Sequence, residues 1–170
     1  KISFTGSVET GHLILGVAAK TMRSVTLELG GKSPMVILDD CDLDKAVEGI
    51  FGSMRFTRAG QSCTAASRIY VPHDRLDAYR AAIATRLNTL TIGDALNDSC
   101  QCGPVVTRRQ QTRIVGYLEQ ARRDGLMVDS FGIRQIPEGQ FGWYVDPHVI
   151  VNPDISHPVS QEESFGPVTT

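Results

Sequence analysis

The stretch Leu27-Glu28-Leu29-Gly30-Gly31-Lys32 ends an apolar strand pattern with two glycines and places one carboxylate among apolar residues. Residues 25–29 alternate as a β-strand does, so Glu28 is predicted at a strand end. A carboxylate in that position is costly unless it is paired or solvated, and a salt bridge to Lys32 or an arginine is one explanation. The other explanation is a general base whose affinity for protons is raised by apolar surroundings.

A second stretch, Gly60-Gln61-Ser62-Cys63, follows Glu28 by 35 residues and carries a single cysteine in a small-residue turn. A small buried thiol packed near Ala65 and Ala66 is one interpretation of Cys63. A catalytic cysteine is the other, and it would need backbone N–H dipoles or cations that favour its thiolate. A thiol and a carboxylate together suggest covalent catalysis followed by hydrolysis, although spacing alone does not show that the two groups meet.

Strand and helix patterns alternate around these two stretches. Strands are predicted at residues 2–4, 25–29, 35–38, 68–71, 126–131 and, as a broken pair, 143–151. Helices are predicted at residues 8–22, from Asp42 to a break at Gly60, 74–90 and 107–124. The alternation predicts an α/β fold with a mainly parallel sheet and flanking helices, in which the apolar run 35–38 is covered on both faces.

Composition excludes several classes of function. The 170 residues carry a net charge of −2, so no electrostatic case exists for binding nucleic acid or an anionic membrane surface. No apolar run approaches the roughly 20 residues that span a bilayer. Cys100-Gln101-Cys102 is too tight for the usual zinc spacing, so we predict no metal site and expect reduced thiols in a cytoplasmic protein.

A third stretch, Phe4-Thr5-Gly6-Ser7-Val8-Glu9-Thr10-Gly11, joins a strand to a helix through a small-residue turn. Backbone N–H groups at such a helix start suit a phosphate, although a turn that only caps the helix explains the residues equally well. Gly30-Gly31-Lys32-Ser33 is not a P-loop, because Thr26 stands where that motif needs glycine and Pro34 follows where the helix should continue.

Four motifs in order along the chain resemble those of the NAD(P)-dependent aldehyde dehydrogenase superfamily. They are FTGSxxxG at residues 4–11, LELGGKSP at 27–34, GQxC at 60–63 and EExFGPV at 162–168, with a fifth similar segment at 103–106. The resemblance covers essentially the whole chain. Both ends look cut, so we interpret the sequence as an internal piece of a longer protein.

The resemblance implies a reaction and a role for each reactive group. Cys63 matches the nucleophile that attacks the aldehyde carbon, and hydride transfer from the resulting thiohemiacetal to NAD or NADP leaves a thioester. Glu28 matches the general base that activates water to release a carboxylic acid. The backbone N–H of Cys63 would be one donor to the oxyanion.

The resemblance also implies cofactor contacts, two domains and an assembly. Residues 1–30 would be the C-terminal part of the dinucleotide-binding domain and residues 31–170 the catalytic domain, each truncated at its outer end. The full-length protein would be a homodimer or homotetramer that acts on a small aldehyde. The residues expected to contact the cofactor are Gly6, Ser7, Leu29, Gly30, Gln110, Glu163 and Phe165.

Two positions depart from the usual pattern of the family. Arg58 stands where relatives often have asparagine, so it either favours the thiolate or binds a carboxylate. Ser164 replaces a common aliphatic residue. Three alternative functions stay open: a CoA-acylating enzyme, against which Glu28 argues; a non-catalytic relative with the same fold; and a fragment without activity of its own.

Overall fold

The computed structural model describes residues 1–170, which divide into two compact units, Lys1–Gly31 and Lys32–Thr170. The first unit is a strand-helix-strand motif with β1 at Ile2–Gly6, α1 at Val8–Ala19 and β2 at Val25–Leu29. The two strands are parallel, in a register that pairs Thr5 with Glu28 and Gly6 with Leu29. The carboxyl end of β1 and the carboxyl end of β2 therefore lie at the same edge of the sheet.

Helix α1 begins at the predicted residue and ends earlier than predicted. Ser7 caps its first turn by accepting a hydrogen bond from the Thr10 N–H. The predicted end at Met22 is wrong, because Met22 has a φ of 52° and the Arg23 N–H turns back to the Ala18 carbonyl. A left-handed residue with this hydrogen bond terminates a helix.

The second unit holds the remaining strands and helices, and most of its strand pairs are parallel. β3 (Pro34–Val36) pairs with β4 (Arg68–Tyr70), β5 (Thr91–Gly93) with β7 (Ile133–Gln135) and β8 (His148–Val151) with β9 (Val168–Thr169), all in parallel, whereas β6 (Met127–Ser130) is antiparallel to β8. The Ile69 N–H donates to the Thr170 carbonyl over 2.7 Å, which links β4 to the chain that follows β9. The α/β prediction is confirmed. The elements are β3 Pro34–Val36, α2 Leu43–Ser53, β4 Arg68–Tyr70, α3 Leu76–Leu87, β5 Thr91–Gly93, α4 Arg108–Arg123, β6 Met127–Ser130, β7 Ile133–Gln135, β8 His148–Val151, α5 Pro158–Gln161 and β9 Val168–Thr169.

The ends of α2 and α3 differ from the sequence-based prediction. Asp42 caps α2 as expected, but the helix stops at Ser53, before the break predicted at Gly60, since Arg55 adopts a φ of 58°. Residues 74–90 divide into a 3₁₀ turn at His73–Arg75 followed by the shorter helix α3.

The strand predictions are least accurate where strands are short or at an edge. The run 35–38 is not covered on both faces, because Val36 is 64% exposed and Leu38 is 66% exposed. β5, β7 and β9 were not predicted, and of the pair expected over residues 143–151 only β8 is a strand.

Helix α4 matches its prediction at both ends, and this helix supports the candidate site. Thr107 accepts a hydrogen bond from the Gln110 N–H, and Gly125 follows the helix with a φ of 79°. Ile114, Leu118 and Ala121 form its buried face. None of the helices is long and apolar enough to cross a membrane.

Candidate active site

Glu28 lies near the end of β2 with its side chain exposed. The flanking Leu27 and Leu29 point to the opposite, half-buried face of the strand, as alternation requires. The apolar surroundings expected for this carboxylate are therefore not present. A solvated carboxylate beside a flexible Gly30-Gly31 pair is what the first unit offers.

The predicted phosphate site lies at the N-terminus of α1. The Ser7 hydroxyl lies 3.0 Å from the Thr10 hydroxyl and caps the helix, while the Gly11 N–H donates to the Ser7 carbonyl. Leu29 packs under the helix, since a Cβ at Gly11 would lie 2.9 Å from its methyl carbons. Gly6 ends β1 directly before Ser7, and Gly30 directly follows Leu29, so the predicted cofactor residues of this unit share one sheet edge.

Cys63 lies in a tight turn before β4, and its side chain is exposed. The turn begins with a 3₁₀ helix at Phe56–Arg58 and continues through Ala59, with a φ of 51°, and Gly60, with a φ of 66°. The buried residues Ala65 to Ser67 then lead into the strand. The turn therefore presents the Cys63 thiol outward on a backbone anchored at both ends.

Gly60 fits against the backbone of the EExFGPV segment. A Cβ at Gly60 would overlap the carbonyl oxygen of Gly166 and lie 2.8 Å from the Pro167 nitrogen. On its other side, Gly166 meets Ile114 of α4 in the same way. The turn that carries Cys63 and the segment that carries Glu163 are therefore in direct backbone contact.

Replacing Gly60 with alanine is expected to lower the free energy of unfolding by about 2–4 kcal/mol, since the new methyl group meets backbone and the φ disfavours L-residues. Urea denaturation measures the change. Two matched controls separate the cost of the positive φ from the cost of the close contact. Gly139→Ala has a φ of 79° and open space, so it reports the backbone cost alone, while Gly116→Ala has open space inside α4 and should not destabilise. A Gly60→Ala loss no larger than the Gly139→Ala loss would contradict the close contact.

Gln61 joins the turn to the segment before α4. Its side-chain oxygen accepts a hydrogen bond from the Val106 N–H over 2.9 Å, and its side-chain nitrogen donates to the Arg58 carbonyl over 3.2 Å. Both polar ends of the amide are therefore used for structure. Arg58 itself is exposed at the end of the 3₁₀ turn, and its backbone supports the loop.

Side chains of α4 hold the segment that carries Glu163 and Phe165. The Gln110 amide nitrogen donates to the carbonyls of Ser164 over 2.7 Å and Phe165 over 3.0 Å. The Arg113 guanidinium donates to the Glu163 carbonyl over 2.9 Å. Phe165 has a φ of 49°, a strained value that needs such support. Gln110, predicted as a ribose contact, has its amide nitrogen committed to this backbone.

Lys32, which directly follows the two glycines, sits in a half-buried cluster of charge. Burial, with help from the nearby Arg68 guanidinium, lowers the pKa of Lys32 to about 8, and the Glu163 carboxylate opposes the shift. The sequence suggested Lys32 only as a partner for Glu28. The structure instead places the Lys32 charge in the field of Glu163.

The lowered pKa of Lys32 predicts a pH dependence of stability. Between pH 8 and 10.5 the unfolded chain binds more protons at this residue than the folded chain, so the free energy of unfolding rises with pH in that window. The rise should be about 1–3 kcal/mol and should be absent from Lys32→Met. Lys45→Met, at an exposed lysine of α2, is the matched control. Parallel pH profiles for wild type and Lys32→Met would show that the ammonium is not desolvated.

The four cysteines differ in accessibility, and Cys63 is the exposed one. Cys102 is fully buried, and burial raises the pKa of its thiol to about 11, which makes it a poor nucleophile. Cys41 and Cys100 are half-buried. Accessibility therefore favours the thiol that the motif predicted.

The candidate residues form two sets, one in each compact unit. Gly6, Ser7, Leu29 and Gly30 share one sheet edge of the first unit with Glu28, while the second unit joins the Cys63 turn to the segment of Glu163 and Phe165. Sequence analysis missed Lys32, Arg113 and Tyr117 in this second set. The signal that could have found the last two is helical spacing along α4, since Arg113 lies three residues after Gln110 and Tyr117 four residues after Arg113.

Comparison with known proteins agrees with the motifs. The family model described as the aldehyde dehydrogenase family matches residues 1–170. The chain is 36% identical over 170 residues to a betaine aldehyde dehydrogenase of Sinorhizobium fredii, covering 99% of this chain and 34% of that protein. It is 37% identical over 171 residues to the human 4-trimethylaminobutyraldehyde dehydrogenase, covering 99% of this chain and 34% of that protein.

A solved structure extends the similarity to the fold. The NAD⁺ complex of an aldehyde dehydrogenase from Bacillus cereus superposes with a TM-score of 0.89 at 36% identity, covering 99% of this chain and 34% of that one. The chain thus spans about a third of the length of the relatives that it matches. The resemblance found in the motifs is confirmed: this chain belongs to the aldehyde dehydrogenase family.

Proposed function

We propose that the full-length protein oxidises an aldehyde to a carboxylic acid with NAD(P)⁺, using Cys63 as nucleophile and Glu28 as general base. The observation that carries the proposal is the exposed Cys63 thiol on a turn whose Gly60 packs against the backbone of the segment bearing Glu163 and Phe165. An accessible thiol on a turn that contacts the segment carrying a carboxylate and an aromatic residue suits an oxidation in which the nucleophile and a dinucleotide share a site.

Cys63 supplies two functions in this mechanism. Its thiolate attacks the carbonyl carbon of the aldehyde, and a thiohemiacetal forms on sulfur. Its backbone N–H makes no hydrogen bond within the chain, in contrast to the Ser62, Thr64 and Ala65 N–H groups, so it is available to donate to the developing oxyanion. Transfer of hydride from the thiohemiacetal carbon leaves a thioester on Cys63.

Glu28 completes the reaction by activating water. The thioester needs a hydroxide equivalent, and a carboxylate that removes a proton from water supplies it. The exposed position of Glu28 on β2 gives its carboxylate access to solvent. Gly30 and Gly31 directly follow and give this strand end conformational freedom.

Each unit carries polar groups that suit a different part of NAD(P)⁺, which accepts the hydride when bound. In the first unit, the N-terminus of α1 with the Ser7 hydroxyl offers hydrogen-bond donors and a positive dipole end for phosphate. In the second unit, the Glu163 carboxylate suits two vicinal ribose hydroxyls, with Phe165 beside it. The NAD⁺ complex of the Bacillus cereus relative supports this choice of cofactor.

The names of two relatives indicate where a search for the substrate should begin. One is a dehydrogenase of betaine aldehyde and the other of 4-trimethylaminobutyraldehyde. An aldehyde panel should therefore include these trimethylammonium compounds beside neutral and anionic aldehydes of similar length. A homodimeric or homotetrameric state and a cytoplasmic location stay predictions for the full-length protein.

Formation of NADH or NADPH by the full-length protein tests the proposed function. We expect reduced cofactor and carboxylic acid in equal amounts from at least one aldehyde of the panel. The isolated chain of residues 1–170 should form neither, because it spans about a third of its relatives. Turnover by the isolated chain would contradict the second expectation. A full-length protein that reduces neither cofactor with any aldehyde would overturn the proposal.

A further inference from the structure

Four residues on one side of α4 and at its C-terminal cap contact the chain from residue 157 to residue 165. We name them the retaining stripe: Gln110, Arg113, Tyr117 and Asp124. Their separations of three, four and seven residues bring them to one face of the helix. The contacts run in opposite order along the two segments. Asp124 holds the beginning of the segment and Gln110 holds its end.

At its C-terminal end the stripe holds the start of α5. The His157 Nε2 lies 3.0 Å from the Asp124 carboxylate, and the His157 Nδ1 accepts from the Val159 N–H. Because Nδ1 is the acceptor, a neutral ring carries its proton on Nε2 and donates it to Asp124. The helix that leads into the EExFGPV segment is therefore tied to α4 through its N-cap residue.

In the middle of the stripe the contact is a short hydrogen bond. The Tyr117 hydroxyl donates to the Glu162 carboxylate over 2.6 Å, and the Arg113 guanidinium lies 5.8 Å from the centre of the Tyr117 ring. Hydrogen bonds with an ionised acceptor are stronger than neutral ones. Burial, together with the bond to Glu162, raises the pKa of Tyr117, so the hydroxyl stays a donor at neutral pH.

The hydrogen bond from Tyr117 to Glu162 lies next to the residues proposed to contact the cofactor. Glu162 directly precedes Glu163, whose own backbone carbonyl is held by Arg113. Two residues later, Phe165 keeps a strained φ of 49°. A helix of only four residues, such as α5, cannot fix this geometry by itself. Contacts from α4 therefore hold the segment on both sides of Glu163, and the Gly60 turn contacts it at Gly166.

We propose that Tyr117 is a positioning residue for the cofactor: by holding Glu162, it orients Glu163 and Phe165 towards the nicotinamide ribose. The inference rests on the proposed function, in which Glu163 accepts from the ribose hydroxyls. Tyr117 acts through Glu162 and touches neither substrate nor cofactor. Its contribution should therefore appear in cofactor affinity and not in the chemical step.

The test is Tyr117→Phe in the full-length protein, which removes one hydroxyl and keeps the ring. The KM for NAD(P)⁺ should rise about fivefold to thirtyfold, with kcat changed less than about twofold. Hydrogen–deuterium exchange of residues 162–166, measured without cofactor, should become faster. Tyr70→Phe, at an exposed tyrosine of β4, is the matched control and should change neither quantity.

Two variants of Glu162 confirm that the effect passes through the hydrogen bond. Glu162→Gln keeps an acceptor for the Tyr117 hydroxyl, so its KM for the cofactor should stay within about threefold of wild type. Glu162→Ala should match Tyr117→Phe, and the double variant should be no worse than either single variant. Full additivity of the two changes would overturn the proposal.

The outcomes separate this inference from the proposed function. An unchanged KM in Tyr117→Phe, with lower melting temperature alone, would make Tyr117 a structural residue and overturn the inference. Wild-type protein that oxidises no aldehyde would remove the proposed function, and with it the ribose role. In that case faster exchange of residues 162–166 would still show that Tyr117 anchors the segment, and unchanged exchange would refute the anchoring too.

Discussion

Replacing Cys63 with alanine is expected to lower aldehyde oxidation by the full-length protein at least about 10³-fold, to the limit of detection. In the proposed mechanism the Cys63 sulfur forms the bond that makes hydride transfer possible. No neighbouring group can replace it, since Cys102 is fully buried and burial raises the pKa of its thiol to about 11. Steady-state formation of NADH or NADPH measures the loss.

The control for this experiment is Cys41→Ala, which removes a half-buried thiol just before α2. Its turnover should stay within about twofold of wild type. Cofactor binding by Cys63→Ala, followed by fluorescence of the reduced cofactor, should be retained, because Cys63 is exposed and no packing contact is lost. Substantial turnover in Cys63→Ala would remove this thiol from the mechanism.

Glu28→Gln is expected to separate the two halves of the reaction. Acylation does not need the base, so about one equivalent of reduced cofactor should form rapidly per active site. Hydrolysis of the thioester should then slow by about 10²–10³-fold, because glutamine cannot remove a proton from water. Intact-protein mass spectrometry of Glu28→Gln should find the acyl group on Cys63. The same measurement on Cys63→Ala should show no such adduct.

Glu138→Gln, at an exposed glutamate in the loop before Trp143, is the matched control and should turn over normally. Normal steady-state turnover in Glu28→Gln would remove Glu28 as the base. If CoA then accelerated product release and acyl-CoA accumulated, the protein would be a CoA-acylating enzyme. If CoA does not react with the thioester of the wild-type protein, the protein is not a CoA-acylating enzyme.

Prediction from sequence succeeded where local signals decide the structure. Thr107 and Gly125 mark both ends of α4 because caps act within one helical turn. Asp42 marks the start of α2 for the same reason. β5 has only three residues and β9 only two, and both pair with strands far away in the sequence. No local sequence pattern therefore predicts them.

In the candidate site, too, short local motifs were predicted and contacts between distant residues were not. The resemblance pointed to Cys63 and Glu28 because their motifs are short and distinctive, and their roles stay predictions. The backbone contact between Gly60 and Gly166 and the hydrogen bond from Tyr117 to Glu162 join residues 45 or more positions apart. Such contacts depend on how helices and strands pack, which hydrophobic periodicity does not specify. The exposure of Glu28 on β2 was also not predicted, because its neighbours in the sequence are apolar.

If the Glu163 segment binds the cofactor as proposed, the contact between Gly60 and Gly166 would also make the Cys63 thiol a reporter of cofactor occupancy. Because Gly60 packs closely against the Gly166 backbone, we expect a ligand that shifts the Glu163 segment to shift the Cys63 turn with it. Linkage then requires that a reversible modifier of the Cys63 thiol change cofactor affinity by the same factor by which the cofactor changes the affinity of that modifier. Two glycines without side chains would thus transmit free energy between the nucleophile and the redox partner.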